Sequence, residues 1–174
     1  MEQDVVPAIK EWDKKVNGNS HPKNIHPPAA VDTSLKWAPL LSVFLLDAIG
    51  AKTRNNPKRH LLLTAAGEVL LNAVLVPLKH GVHRTRPNHS DNKRSFPSGH
   101  TATAFLGAEM LRHEWEGRPQ LIRYSGYILA VASGLMRLYK NKHWLSDIVA
   151  GAVLGFATAK LTYRLMKKGP NGIE

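Results

Sequence analysis

From Ser34 onward apolar residues recur at helical spacing with no convincing strand-like alternation, so the chain reads as helix after helix. The first helix covers residues 34–50, with Pro39 tolerable only near its start and Gly50 at its end. Asn56 followed by Pro57 is a helix start, and the apolar run from His60 to Leu78 follows it. A third helix begins at Ser98 and stops by Gly117. A fourth covers about 120–139, and a fifth covers about 143–167 and is ended by Gly169-Pro170. Upstream, Val5, Val6, Ile9, Trp12 and Val16 fall at helical spacing and predict a short amphipathic helix over 3–16. It suits either a membrane interface or the side of its own core. Asn17 to Ala30 is rich in Asn, His, Pro and Gly and reads as loop, and His21 and His26 there lack companion ligands for a metal. The expected fold is an all-α bundle of about five or six helices. It divides into an N-terminal polar segment (1–33), a helical domain (34–169) and a short tail (170–174).

No run of 18 residues is free of charge, which opposes membrane spans on strict hydropathy. Yet 61–78 is broken only by Glu68, 37–51 only by Asp47, and 124–136 carries no charge. Small residues recur at every fourth place, at Gly126, Ala130 and Gly134 and again at Gly151 and Gly155, a spacing that lets helices approach closely. If five segments span, Lys52, Arg54, Lys58, Arg59, Arg112, Arg118, Arg123, Lys167 and Lys168 lie on one side. The positive-inside rule makes that side cytoplasmic. Residues 1–33 are then outside, although no export signal is visible at Met1. Either a leader has been removed, or the segment crosses without one, or the topology differs.

Composition narrows the partners. At 174 residues the chain is one domain with room for a core, and its lack of cysteine removes disulfides, thiolate metal sites and thiol nucleophiles. A formal net charge of +11 implies anionic partners. Aromatics are only 7% and are not interleaved with the basic residues, so nucleic acid is not expected.

Three short blocks carry candidate chemistry. In the last, His143 and Asp147 stand at i and i+4, where a carboxylate can accept from one ring nitrogen and leave the other as a nucleophile. Alone, such a pair is more often a surface ion pair. The second block, Pro97-Ser98-Gly99-His100, looks like a helix N-terminus capped by Ser98, with Gly99 permitting close backbone approach of an anion. His100 then sits where a general acid is useful. In the first block Lys79 and Arg86 bracket a six-residue stretch, and Arg137 opens the third. Three cations aimed at one phosphoryl group would stabilise its equatorial oxygens. Arg84, Lys93 and Arg94 read as a solvated basic loop.

Taken together, Lys79-x6-Arg86-Pro87, Pro97-Ser98-Gly99-His100 and Arg137-x5-His143-x3-Asp147 resemble the signature motifs of the type 2 phosphatidic acid phosphatases. That family also includes bacterial acid phosphatases, lipid phosphate phosphatases and vanadium haloperoxidases. The resemblance covers roughly residues 35–167 and implies a six-helix core. It implies that His143 forms a phosphohistidine, that Asp147 orients it, and that His100 protonates the leaving oxygen and later deprotonates water. Lys79, Arg86, Ser98, Gly99 and Arg137 would bind the phosphoryl oxygens, with no metal and no cofactor. Met136 departs from the family, which usually has serine before this arginine, so altered efficiency or specificity is expected.

The leading expectation is a phosphatase acting on a phosphorylated lipid in the bacterial inner membrane, with its site facing the periplasm. A soluble periplasmic acid phosphatase for small esters is the alternative. A haloperoxidase would need more chain than this. A non-enzymatic basic bundle that binds anionic membranes leaves the ordering of His100, His143 and Asp147 unexplained. Oligomeric state is open.

Overall fold

The computed structural model describes residues 2–18, 28–51, 53–88, 91–117 and 119–167, with side chains from Pro7 onward. His21, His26, Lys52, Arg118, Lys168 and the stop at Gly169-Pro170 lie outside the described residues. The described chain is six helices: α1 (Glu2–Gly18), α2 (Ala29–Ala48), α3 (Pro57–Val82), α4 (Gly99–Glu114), α5 (Gln120–Tyr139) and α6 (Leu145–Leu165). No strand occurs among the described residues.

The helix starts follow local chemistry. Asn56 caps α3 by accepting from the Arg59 N–H at 2.9 Å, with Pro57 in the first turn. Ser98 caps α4 through the Thr101 N–H at 3.5 Å. Gly50 and Gly117 adopt positive φ of 74° and 87° just past α2 and α4. One expectation is corrected: α2 starts at Ala29, so Pro39 lies in mid-helix, while α3 runs through Pro77 as expected and on to Val82. Tertiary packing holds α2 across its proline. Gly107 of α4 sits so close that a Cβ there would fall 2.7 Å from the Leu40 nitrogen.

α4 is the axis of the bundle, with α2, α5 and α6 packed around it, and most of its side chains are buried. The small-residue stripes make this possible. A Cβ on Gly155 would lie 2.1 Å from the Ala102 carbonyl oxygen, and one on Gly151 would lie 2.4 Å from that of Ser98. α6 therefore crosses α4 backbone to backbone, and the Ser98 N–H donates to the Asp147 carbonyl at 2.9 Å. Gly126 meets Ala108 of α4 in the same way.

Three of the described helices, not five, are long and apolar enough to cross a membrane: α2, α3 and α6. α4 has only 16 residues, fewer than the roughly 20 a span needs, and is enclosed by its neighbours. The outward faces are apolar, with Leu45 65% exposed, Leu61 63%, Val69 69% and Val153 61%. Of the two settings that α1 suits, the side of its own core is not the one Ile9 and Trp12 take: both face outward, whereas Asp13 and Asn17 are buried among the side chains described.

Candidate active site

The three blocks meet at one end of the bundle, where α3 and α5 end and α4 and α6 begin. His143 lies in the turn before α6 and is 2% exposed. Its Nδ1 donates to the Ser95 carbonyl at 2.7 Å. That bond fixes the tautomer and leaves Nε2 as the nitrogen with a lone pair.

Asp147 is not the direct acceptor expected for this ring. Its Oδ2 stands 3.6 Å from Nδ1, beyond a hydrogen bond. The carboxylate instead accepts from the Ser95 hydroxyl at 2.5 Å, the Trp144 N–H at 3.0 Å and Arg84 Nη1 at 2.6 Å. Trp144 is the N-cap of α6 and Asp147 its third residue, so the carboxylate also ties down the helix start. Ser95 is the residue that links the pair, since its carbonyl holds the imidazole while its hydroxyl holds the carboxylate.

Arg84 is not a solvated loop residue. One guanidinium nitrogen bonds Asp147 and the Ser146 hydroxyl at 2.6 Å each, and the other bonds Asp13 at 2.5 Å. Asp13, fully buried, also accepts from the Ser146 N–H at 3.0 Å and the Ser146 hydroxyl at 2.6 Å. Thus α1 is clasped to the start of α6 by the buried Asp13 carboxylate. Lys93 and Arg94 are exposed, as expected. Between α1 and the first block lies a groove of about 660 Å³, lined by Ile9, Lys10, Lys14, Val82, Phe96 and Trp144 among others.

The cations surround His143. Lys79 Nζ donates to the Pro97 carbonyl at 2.7 Å and runs alongside Gly99, which brings it to the start of α4. Arg137, 7% exposed on the last turn of α5, pairs with Asp32 of α2 at 2.7 Å. Lys140 joins the same carboxylate at 3.2 Å. Arg86 and Arg137 each keep a buried Nε–H with no acceptor, which the oxygens of a tetrahedral anion would satisfy. Ser98 is fully buried and its own N–H is spent on Asp147, so the donors left at this helix start are those of Gly99 and His100.

Both histidines titrate below the ordinary imidazole range. For His143 burial is the main cause, opposed by the Asp147 carboxylate and reinforced by Arg137 and Lys79. His100 is lowered to about 4 by burial first, then by Arg137 and Lys36. Ser95, Arg84, Asp13 and Asp32 carry no motif signal. Only Arg84, two residues before Arg86, lies within a block read from the sequence.

Comparison with known proteins fits this geometry. The model of the family described as the PAP2 superfamily matches residues 58–170, more than half of the chain. The lipid A 1-phosphatase of Porphyromonas gingivalis is 31% identical over 134 residues, covering 76% of this chain and 30% of that protein. The decaprenylphosphoryl-5-phosphoribose phosphatase of Mycobacterium tuberculosis is 29% identical over 119 residues, 64% of each chain. The chain therefore spans less than two thirds of the length of either relative. Among solved structures, the transmembrane PAP2 type phosphatidylglycerolphosphate phosphatase of Bacillus subtilis shares the fold. Its TM-score is 0.64 at 22% identity, over 95% of this chain and 90% of that one.

Proposed function

The chain belongs to the PAP2 superfamily, and we propose that it is a membrane phosphatase that removes phosphate from a lipid monoester or pyrophosphate through a phosphohistidine on His143. The observation that carries this reading is the buried imidazole whose Nδ1 is committed to Ser95, so that Nε2 can attack. The two relatives are named for removing phosphate from lipid A and from a decaprenyl-linked phosphoribose, which supports a lipid-borne substrate. The outward apolar faces of α2, α3 and α6 support a membrane setting. The unbalanced cations at the far end of the bundle support a cytoplasmic far end and a periplasmic site in a bacterial inner membrane.

In the first step Nε2 forms a bond to phosphorus while the bond from phosphorus to the lipid oxygen breaks. His100 gives its proton to that leaving oxygen. Lys79, Arg86, Arg137 and the N–H groups of Gly99 and His100 take the charge on the non-bridging oxygens. Ser98 caps the helix that aims those N–H groups. In the second step water attacks the phosphohistidine, His100 takes a water proton, the P–N bond breaks, and phosphate and free His143 remain. The cations supply the charge a metal ion supplies elsewhere, so the reading is metal-independent. The groove beside α1, apolar with Lys10 and Lys14 at its rim, suits the non-reacting part of the lipid.

The test is phosphate release in detergent with EDTA, from a panel of lipid phosphates and small soluble esters, comparing wild type with His143→Ala. Release from lipids that vanishes in the variant is expected. Release only from soluble esters would replace the lipid reading with an acid phosphatase. Release that EDTA abolishes would overturn metal independence.

A further inference from the structure

At the end of the bundle opposite His143, a groove of about 550 Å³ opens between the start of α3, the end of α4 and the end of α6. We propose that it binds the phosphate-bearing headgroup of an anionic phospholipid, separately from the reaction. The charge balance carries the inference. Two of the lining cations are already neutralised: Arg54 by Glu116, and Arg112 by Glu109 through bonds of 2.8 and 2.7 Å. Four are not. Among the described residues Arg59 donates to the Met166 carbonyl and pairs with no carboxylate, and Lys160 lies over the Phe156 ring at 4.3 Å. Arg164 and Lys167 contact no carboxylate among the described residues. Four like charges converging on one concavity repel one another, and a bound phosphate relieves that repulsion.

The rest of the lining says what kind of phosphate. Leu63, Met166 and the Tyr163 ring, which stacks on His113 at 4.4 Å, form an apolar wall beneath the cationic rim. That pairing suits an amphiphile better than a bare polyanion. The level in the molecule agrees. α3 begins at Pro57 and α6 ends at Leu165, so the groove sits where two long apolar helices would leave a bilayer and meet its headgroups. Arg59 and Lys79 are twenty residues apart on α3, about 30 Å along the helix, so a headgroup here cannot be the one at His143. The wall is also rigid. Asn55 and Tyr163 both bond Glu114, at 2.8 and 2.6 Å, and Glu114 in turn holds the buried His60 at 2.7 Å.

The probe is phosphatidylglycerol, a phosphodiester that a monoester phosphatase does not hydrolyse. Protein in detergent is offered phosphatidylglycerol and phosphatidylcholine of matched chains, and retained lipid is counted by native mass spectrometry. Wild type is expected to retain phosphatidylglycerol preferentially. Lys160→Ser combined with Arg164→Ser should weaken that retention roughly tenfold or more, while the charge-conserving pair Lys160→Arg and Arg164→Lys should keep it. A thermal melt followed by circular dichroism reports folding of each variant independently of the groove and of any phosphatase activity. Equal retention of the two lipids, or no loss in a folded Lys160→Ser, Arg164→Ser protein, would overturn the proposal. Glycerol phosphate that displaces phosphatidylglycerol and binds as tightly would overturn the lipid source in favour of a soluble phosphate.

Discussion

His143 and His100 have opposite duties in the proposed reaction, yet both titrate low in the free protein. His143 must be neutral to attack. With its pKa lowered, that form is present at neutral pH and is lost only as pH falls through the lowered value. His100 must be protonated to serve the leaving oxygen, and at about 4 it keeps that proton only in acid. A bound phosphate offsets Arg137 and Lys36, so His100 gains its proton on binding. The alkaline limb of kcat, which reports the complex, should therefore lie at higher pH than that of kcat/KM, which reports the free protein. Coincident limbs on one substrate would remove His100 as the titrating acid. Ser95 gives a second expectation. Ser95→Ala deletes a 2.5 Å bond to the carboxylate and keeps the carbonyl that holds His143. A bond to a charged group is worth about 1.5–3 kcal/mol, so kcat should drop by roughly 10- to 100-fold with KM little changed. A kcat equal to wild type would sever Ser95 from the mechanism. The eight motif residues could be picked out because each block is short and local. Ser95, Arg84, Asp13 and Asp32 could not, because their partners lie 48 to 133 residues away, a separation no spacing encodes.

Among the elements, α1 is the one whose role changes most between sequence and structure. Its apolar stripe suited either a membrane interface or the side of the core, and Ile9 and Trp12 are exposed while Asp13 is buried. Amphipathic spacing shows that one face is apolar, but not whether protein or lipid covers it. The clasp from Asp13 through Arg84 to Asp147 makes α1 a positioning element for the candidate site. Removing Asp13 leaves Arg84 with Asp147 as its remaining carboxylate, but it strips the Ser146 N–H of its acceptor and deletes bonds to a charged group worth about 1.5–3 kcal/mol each. Asp13→Ala should therefore lower Tm and kcat together. Arg84→Lys should not restore the clasp, because an ammonium cannot present the two-pronged fork that spans Asp13 and Asp147. Turnover unchanged in a folded Asp13→Ala protein would show that α1 merely lies beside the site. The helix order was legible, as were the starts at Asn56 and Ser98, since caps and prolines act locally. The start of α2 was not, because packing against α4 carries that helix through Pro39.

The whole molecule has two unlike ends joined by an apolar waist. Anion donors and His143 occupy one end, and the unbalanced cations of the Arg59–Arg164 groove occupy the other. The charge asymmetry was readable from the sequence, but the number of spans was not, because α4 is hidden by its neighbours and lipid need not touch it. Val69, mid-way along α3 and 69% exposed, tests the setting. Arginine there would be harmless in water but costs about 2.5–3.5 kcal/mol at the centre of a membrane span. Val69→Arg should thus reduce the share of protein that stays with membranes after an alkaline wash, and no change would count against α3 as a span. The central claim is that His143 takes the phosphoryl group, and trapping tests it most directly. Acid-labile, base-stable label from a ³²P-substrate should appear on His143 on rapid quenching and be absent in His143→Ala. Label on another residue, or turnover persisting in that variant, would contradict it.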